Sequence, residues 1–469
     1  MKEVFSQSKL FKKEYCCEIV RIGKIVPIEN SEFLAKTEIY PGMPIVVRKD
    51  EIQEGEIMFY VSLECRICDD FLKINNQYSD SNLNENREEK GFFDKHGRVR
   101  LIKLRGQESM GYLFDFNDMN KYLKKVFGIR LSEDKDSLVG IMFDEVCNQN
   151  FVKAYIPETK TQTGSKRHEK RRAKKLNQFD RIIPGEFSFH YDTEQLERSI
   201  KRILPNEIVD ISVKLHGTSA IFANVLTKKY VPWYKKPAQW LGLIETSEYS
   251  NVYSSRSVIK NRDINKKVTG GFYNEDIWGI WNEHLKDFIE KGITIYGEIV
   301  GYTPTGQAIQ KVGKQVYDYG CRPCESKLMI YRVTEDAEGG KKEYTIPEVI
   351  EYTADLISRM KTAGAGYYIN IMKLPLLYSG ALQDRYPNIP RDDEWYTNVL
   401  HALANDSEFK MEQNEPLCYN TVPREGFVLR KRGDYLKEAF KLKTMKFRQK
   451  EALAIDEGQV DLEMEETNY

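Results

Sequence analysis

A small β-barrel domain followed by an α+β domain is what this chain predicts, on three observations. Its 469 residues exceed what one hydrophobic core usually serves. Short β-rich segments fill residues 14 to 116, whereas strands and helices alternate from about 185 to 450. Between them, Glu158 to Asn177 is polar and basic without sustained periodicity, which reads as a linker or lid.

In the first domain, residues 1–150, the β-rich runs are Tyr15 to Ile25, Met43 to Val47, Glu56 to Tyr60 and Arg98 to Leu104, with Asn75 to Arg87 as an exposed loop. Such spacing suits a small β-barrel of the oligonucleotide-binding (OB) type. The run Arg98, Arg100, Lys103, Arg105 nearly alternates with Val99, Leu101, Ile102 and Leu104. One face can therefore carry a basic stripe that meets nucleic-acid phosphates, although an edge strand guarded by charge gives the same pattern. After the linker (151–184), Thr193 reads as the cap of a helix through Leu196, Ile200 and Ile203. Farther on, strands are expected over Ile293 to Val300, Lys327 to Thr334 and Gly426 to Arg430, and helices over Trp278 to Lys291 and Ile346 to Ala363.

Lys and Arg together number 71, as do Asp and Glu, so net charge does not announce a nucleic-acid binder. Its distribution is uneven. Lys166 to Lys175 holds seven Lys/Arg against one Glu, a phosphate anchor or a solvated linker. Glu451 to Tyr469 holds seven Asp/Glu and no Lys/Arg, and reads as a frayed acidic tail. The mean hydropathy of −0.56, the absence of an apolar run near the ~18 residues of a membrane span, and an amino terminus without a signal-peptide pattern lead us to expect a cytoplasmic protein with no membrane partner. Two Cys-x-x-Cys pairs, Cys65/Cys68 and Cys321/Cys324, lie in different domains and read as reduced cysteines before a zinc site.

The chemistry-bearing pattern starts at Lys214. It ends the apolar run Ile208, Val209, Ile211, Val213 and precedes Leu215-His216-Gly217-Thr218-Ser219, so a lysine stands at a strand end beside a glycine turn. Downstream come Ser255-Arg256-Ser257, Tyr296-Gly297-Glu298, Met329-Ile330-Tyr331-Arg332-Val333, Glu425-Gly426-Phe427 and Lys441-Leu442-Lys443. Lys441 and Lys443 alternate on a strand-like segment, so both ammonium groups can share a face. Glu298 and Glu425 each adjoin a glycine, where a carboxylate can enter a cleft, accept ribose hydroxyls or hold a hard cation. Taken singly, each is as readily a solvated charge, and Tyr331 a core residue.

The order and spacing of these motifs resemble the covalent nucleotidyltransferase superfamily of ligases and capping enzymes. His216-Gly217-Thr218 after the lysine is similar to phage-type nick-sealing RNA ligases. Gly97 to Gly106, Phe189-His190-Tyr191-Asp192, Tyr317-Asp318-Tyr319-Gly320 and Pro423-Arg424-Glu425-Gly426 look like the Deinococcus-type RNA ligase family. The resemblance implies an ATP-grasp-like nucleotidyltransferase domain of antiparallel sheets and helices over 185–450, preceded by the OB-like module. It implies that Lys214 becomes lysyl-AMP, Tyr331 stacks on adenine, Glu298 binds the ribose, Glu425 holds the metal, and Lys441 and Lys443 meet the α-phosphate. Arg256 would contact AMP or the 5′-phosphate end, and His216 would orient the strand end. ATP, Mg2+ or Mn2+, and an RNA or RNA-containing nicked duplex are the implied cofactors and partner, with a monomer as the working state. An mRNA guanylyltransferase or DNA ligase shares this motif order, and an RNA-binding protein that has lost catalysis is the reading from another class.

Overall fold

The computed structural model describes residues 4–29, 31–131, 134–157, 181–232, 234, 237, 240–241, 243–261, 273, 275–433 and 438–458. The basic run Lys166 to Lys175 and most of the acidic tail lie outside them. The chain is a mixed α+β fold of many antiparallel sheets, divided into two compact units. The first comprises 1–156, 194–202 and 388–404, and the second 157–193, 203–387 and 405–469.

In the first unit, a four-stranded antiparallel sheet runs in the order Tyr112–Phe114, Ile57–Val61, Cys17–Arg21, Met142–Phe143. Ile57–Val61 is buried throughout because its neighbours cover both faces, which explains its unbroken apolar sequence. Phe59, Phe71, Phe114, Phe143 and Phe151 gather on one side, with the Phe59 and Phe114 rings stacked 4.9 Å apart. Val20, Ile22, Ala35, Ile45, Val47 and Tyr60 form a second core with the Leu34–Tyr40 and Met43–Arg48 strands. Among the described residues these strands belong to separate sheets, none closed on itself. The Asn75 to Arg87 stretch is tied down rather than loose. Buried Asn84 accepts from the Tyr78 N–H at 2.9 Å and donates to the Tyr78 and Glu89 carbonyls.

The expected basic stripe changes character in the structure. Leu101–Leu104 forms a hairpin with Gln107–Met110, in which Ile102, Lys103 and Leu104 are all exposed, whereas Arg98 bridges to Arg66 instead. Arg98 is buried and holds both oxygens of Glu64, at 2.6 and 2.8 Å, beneath the Tyr155 ring. It is therefore a structural ion pair rather than a phosphate contact. Arg100 lies 3.7 Å from Asp94, Lys103 lies 3.5 Å from Glu108, and Arg105 is exposed.

Two sheets build the second unit. One has, in order, Ala439–Lys443, Gly426–Lys431, Ile208–Lys214 and Leu376–Ala381, each antiparallel to its neighbour. The other runs Ser247–Ser254, Thr218–Lys228, Ile293–Gly301, Ser326–Ala337, Gly340–Glu343. Ile277–Leu285 and Ile346–Thr362 pack Trp281, Leu285, Val349, Leu356 and Met360 into the core beside this second sheet. The longer helix starts at a capping box, Thr345 with Glu348, which satisfies two orphan N–H groups. The helix expected after Thr193 is a single turn, Leu196–Ser199, with Gln195 at the N-cap position making no side-chain cap, and it is continued by a 3-10 turn. No helix among the described residues is long and apolar enough to cross a membrane.

Candidate active site

Lys214 is the last residue of its strand in the first sheet, and Thr218 is the first residue of a strand in the second. Three residues, Leu215, His216 and Gly217, carry the chain from one sheet to the other. Gly217 has to be glycine: an added Cβ would lie 2.5 Å from the Ile299 carbonyl oxygen and 2.7 Å from Glu298 Cγ. The same closeness lets its N–H donate to Glu298 Oε1 at 3.1 Å, while Gln310 Nε2 donates to its carbonyl at 2.9 Å. Glu298, half-buried on Ile293–Gly301, is thus fixed against the turn that follows Lys214.

Strand register places Lys214 opposite Gly426, and Gly426 opposite Lys443. Residues in one register row point to one face of a sheet, so both lysines flank a position without a side chain. Gly426 has φ +151°, and a Cβ there would come within 1.9 Å of the Leu442 carbonyl oxygen. Glu425, immediately before it, is buried and lies 2.8 Å from Lys214 Nζ. Its Oε2 is buried with no hydrogen-bond partner among the described residues. An orphan carboxylate oxygen beside an ammonium suits a hard cation. Lys441 is half-buried on the face it shares with Lys443.

Lys443 Nζ meets both oxygens of Glu451, at 2.8 and 3.0 Å. Burial works against the Lys443 charge, yet the Glu451 and Glu425 carboxylates outweigh it and raise its pKa. Burial likewise opposes the Glu451 charge, and Lys443 overrides it and lowers that pKa. The sequence suggests a frayed acidic tail from Glu451 onward. Glu451 sits instead in the helix Met445–Asp456, because Thr444 caps that helix onto the end of the Ala439–Lys443 strand. Composition alone hides this, since a count over 451–469 runs the acidic residues of the helix together with those beyond it.

His216 is held by aromatic residues. Its N–H donates to the Tyr319 hydroxyl at 2.7 Å, and its ring meets the Tyr317 and Phe447 rings edge-on at 5.0 and 5.1 Å. Asp318 fixes that tyrosine pair by accepting from the Gly320, Tyr419 and Asn420 N–H groups. The Tyr317-Asp318-Tyr319-Gly320 element therefore shapes the turn after Lys214.

Tyr331 owes its direction to a β-bulge. Tyr296 pairs with Arg332 and Gly297 with Ile330, which leaves Tyr331 as the extra residue. Its hydroxyl is 3.4 Å from Ser219 Oγ and its ring is met edge-on by His190 at 5.4 Å. Nearby, Arg332 lies between the Tyr191 and Tyr296 rings, 4.4 and 4.1 Å from their centroids. Arg332 and Arg430 share buried Glu343, at 2.9 and 3.3 Å, and Tyr191 donates to the same carboxylate. Burial, reinforced by Arg256, Arg332 and Arg430, pushes the His190 pKa well below its ordinary value and keeps the imidazole neutral. Arg256 is paired with Asp192. Sequence reasoning had no handle on Glu343, which lies in a short polar strand, GKKE, that reads as a surface hairpin.

The structure thus gathers Lys214, Glu425 and Lys443 at neighbouring register positions, fixes Glu298 at the adjoining turn, and bounds the second sheet's side with Tyr331. Cys65, Cys68, Cys321 and Cys324 carry free thiols, and among the described residues no group of three or more His, Cys, Asp or Glu is gathered as a ready-made metal cage.

No family model matches this chain, and no curated protein matches it significantly. Solved structures do. An apo mutant form of a Naegleria gruberi RNA ligase is 14% identical with a TM-score of 0.50, over 92% of this chain and 98% of that one. A second mutant of the Naegleria gruberi RNA ligase, with ATP and Mn, gives the same identity, coverage and TM-score. At that identity the likeness is one of fold.

Proposed function

We propose that this protein is an ATP-dependent RNA ligase that works through lysyl-AMP. The observation that carries the reading is the row Lys214, Gly426, Lys443 with Glu425 at 2.8 Å from Lys214. The shared fold with an RNA ligase, one of whose structures holds ATP and Mn, supports it.

In the first step the Lys214 ammonium gives a proton to solvent, its Nζ lone pair attacks the α-phosphorus of ATP, the bond to pyrophosphate breaks, and the leaving pyrophosphate takes the second nitrogen proton. Glu425 aims the amine, while Lys443 and Lys441 offset charge on the α-phosphate oxygens. Tyr331 provides a ring for the adenine and Glu298 an acceptor for the ribose hydroxyls. In the second step a 5′-phosphate oxygen of RNA attacks the AMP phosphorus, the P–N bond breaks, and Lys214 is regenerated. In the third a 3′-hydroxyl oxygen attacks the 5′-phosphorus, AMP leaves, and the phosphodiester closes. Each is a displacement at phosphorus, where positioning and charge stabilisation supply most of the rate. Glu425 Oε2 and substrate oxygens would hold Mg2+ or Mn2+, which when bound supplies positive charge to the phosphate oxygens. Arg256, released from Asp192, is a candidate for the 5′-phosphate end, and Arg100, Lys103 and Arg105 of the exposed hairpin are candidates for duplex phosphates.

Incubation with α-labelled ATP or GTP, then denaturing electrophoresis, tests the reading. ATP should label the protein through an acid-labile, alkali-stable bond, Lys214→Ala should take no label, and a nicked duplex with RNA at the 3′ side should be sealed. Labelling by GTP alone indicates guanylyl transfer, and undiminished labelling of Lys214→Ala rejects the nucleophile.

A further inference from the structure

Lys443 is the lysine that faces Lys214 across Gly426, and its ammonium has two carboxylates within electrostatic reach, Glu451 and Glu425. It is bonded to Glu451 alone of these two, through both oxygens, at 2.8 and 3.0 Å. Glu425 keeps one oxygen on Lys214 and the other buried and unpartnered. The four charges therefore alternate in sign from one interaction to the next, Glu451, Lys443, Glu425 and Lys214. Removing Glu451 leaves a half-buried ammonium whose remaining carboxylate is Glu425, and pairing there would occupy the oxygen on which a cation depends.

The helix is built to hold Glu451 still. Thr444 caps it, accepting from the Phe447 N–H at 3.1 Å, and Thr444 Oγ1 donates to the Arg424 carbonyl at 2.7 Å, beside Glu425. Phe447, fully buried against His216 and Tyr317, lies one turn before Glu451 on the same helix face. His216 and Arg448 also face Glu451, and both act to lower its pKa.

We propose that Glu451 is a positioning residue: it holds the Lys443 ammonium off Glu425 and in place for the nucleotide's phosphate. The proposal rests on the nucleotidyl-transfer reading above and adds a residue that acts only through Lys443.

Single-turnover formation of lysyl-AMP from labelled ATP, measured on the full chain across ATP concentrations, tests it. Glu451→Gln keeps the shape and removes the charge. Its maximal rate should fall roughly 100-fold, the loss that a displacement of about 1 Å brings, while the half-saturating ATP concentration moves less than about threefold. Glu451→Asp should recover part of the rate. Because the two residues act as one unit, Glu451→Gln combined with Lys443→Ala should be no slower than Lys443→Ala alone. Wild-type rates for Glu451→Gln, losses that multiply in the double variant, or a rate loss that tracks a fallen unfolding midpoint would each overturn the proposal. Failure of the wild-type protein to take label would instead defeat the reading on which it rests.

Discussion

Gly426 illustrates how much of the site depends on a missing side chain. Its φ of +151° lies in a region only glycine occupies readily, and its neighbour's backbone leaves no room for a Cβ. Gly426→Ala should cost about 1–3 kcal/mol of stability, seen as a lower urea midpoint, and should abolish nucleotide labelling even where the protein remains folded. Arg98 makes the opposite point. Its alternating context suggests a solvent-facing cation, but the partner that buries it, Glu64, is 34 residues away and invisible to a local pattern. Arg98→Ala leaves that carboxylate without its cation and should lower stability by about 3–5 kcal/mol. Nick binding should then fall only with the folded fraction, whereas neutralising exposed Lys103 and Arg105 should flatten the salt dependence by about one unit for each phosphate they neutralise in the wild type. A salt titration of both variants separates the two roles.

Among elements, the strands were the most legible. Ile293–Gly301, Ser326–Ala337 and Gly426–Lys431 extend the expected runs by one to a few residues, because apolar period and flanking glycines mark them directly. The helix Ile346–Thr362 was legible as well, through its cap and its 3.6-residue repeat. Short elements were not. The four-residue helix Leu196–Ser199 and the GKKE strand depend on distant neighbours, and so Glu343, with its two arginines, escaped notice. The carboxy-terminal helix is hidden for a different reason: a composition window opening at 451 cuts it in two and joins Glu451 and Asp456 to the acidic residues beyond it. That helix couples folding to the site. Phe447→Ala should lower stability by about 3–5 kcal/mol, and lysyl-AMP formation should drop further than the folded fraction, since Glu451 rides on the same helix. Comparing calorimetric midpoints with labelling rates at a temperature where the variant is folded checks this.

At the level of the whole molecule, the first unit contains a pH-responsive contact between Glu38 and His401, 3.3 Å apart. The hydrogen bond that His401 Nε2 donates to the Glu38 carboxylate raises the His401 pKa above its ordinary 6.5. For Glu38, burial pulls upward but the bond to His401 prevails and lowers its pKa below 4.5. The histidine's contribution is complete below 6.5 and is lost as pH rises through its raised value, and the glutamate's is complete above 4.5 and is lost as pH falls through its lowered value. The pair therefore acts fully between those two limits, and as a half-exposed contact it contributes under about 1 kcal/mol. An NMR titration should place the His401 midpoint above that of a free histidine, and Glu38→Gln should return it. An unchanged midpoint in that variant would contradict the pairing.

His401 belongs to residues 388–404, which complete a unit begun at the amino terminus, and residues 194–202 are a second such insertion. The chain thus passes between its units five times. During synthesis an amino-terminal domain ordinarily folds before the rest emerges from the ribosome. Here the first unit cannot finish until residue 404 has been made, by which point Lys214 and Glu298 have long been synthesised, whereas Glu425, Lys443 and Glu451 have not. Completion of the first unit and assembly of the row Lys214, Gly426, Lys443 consequently both wait for residues made after 387.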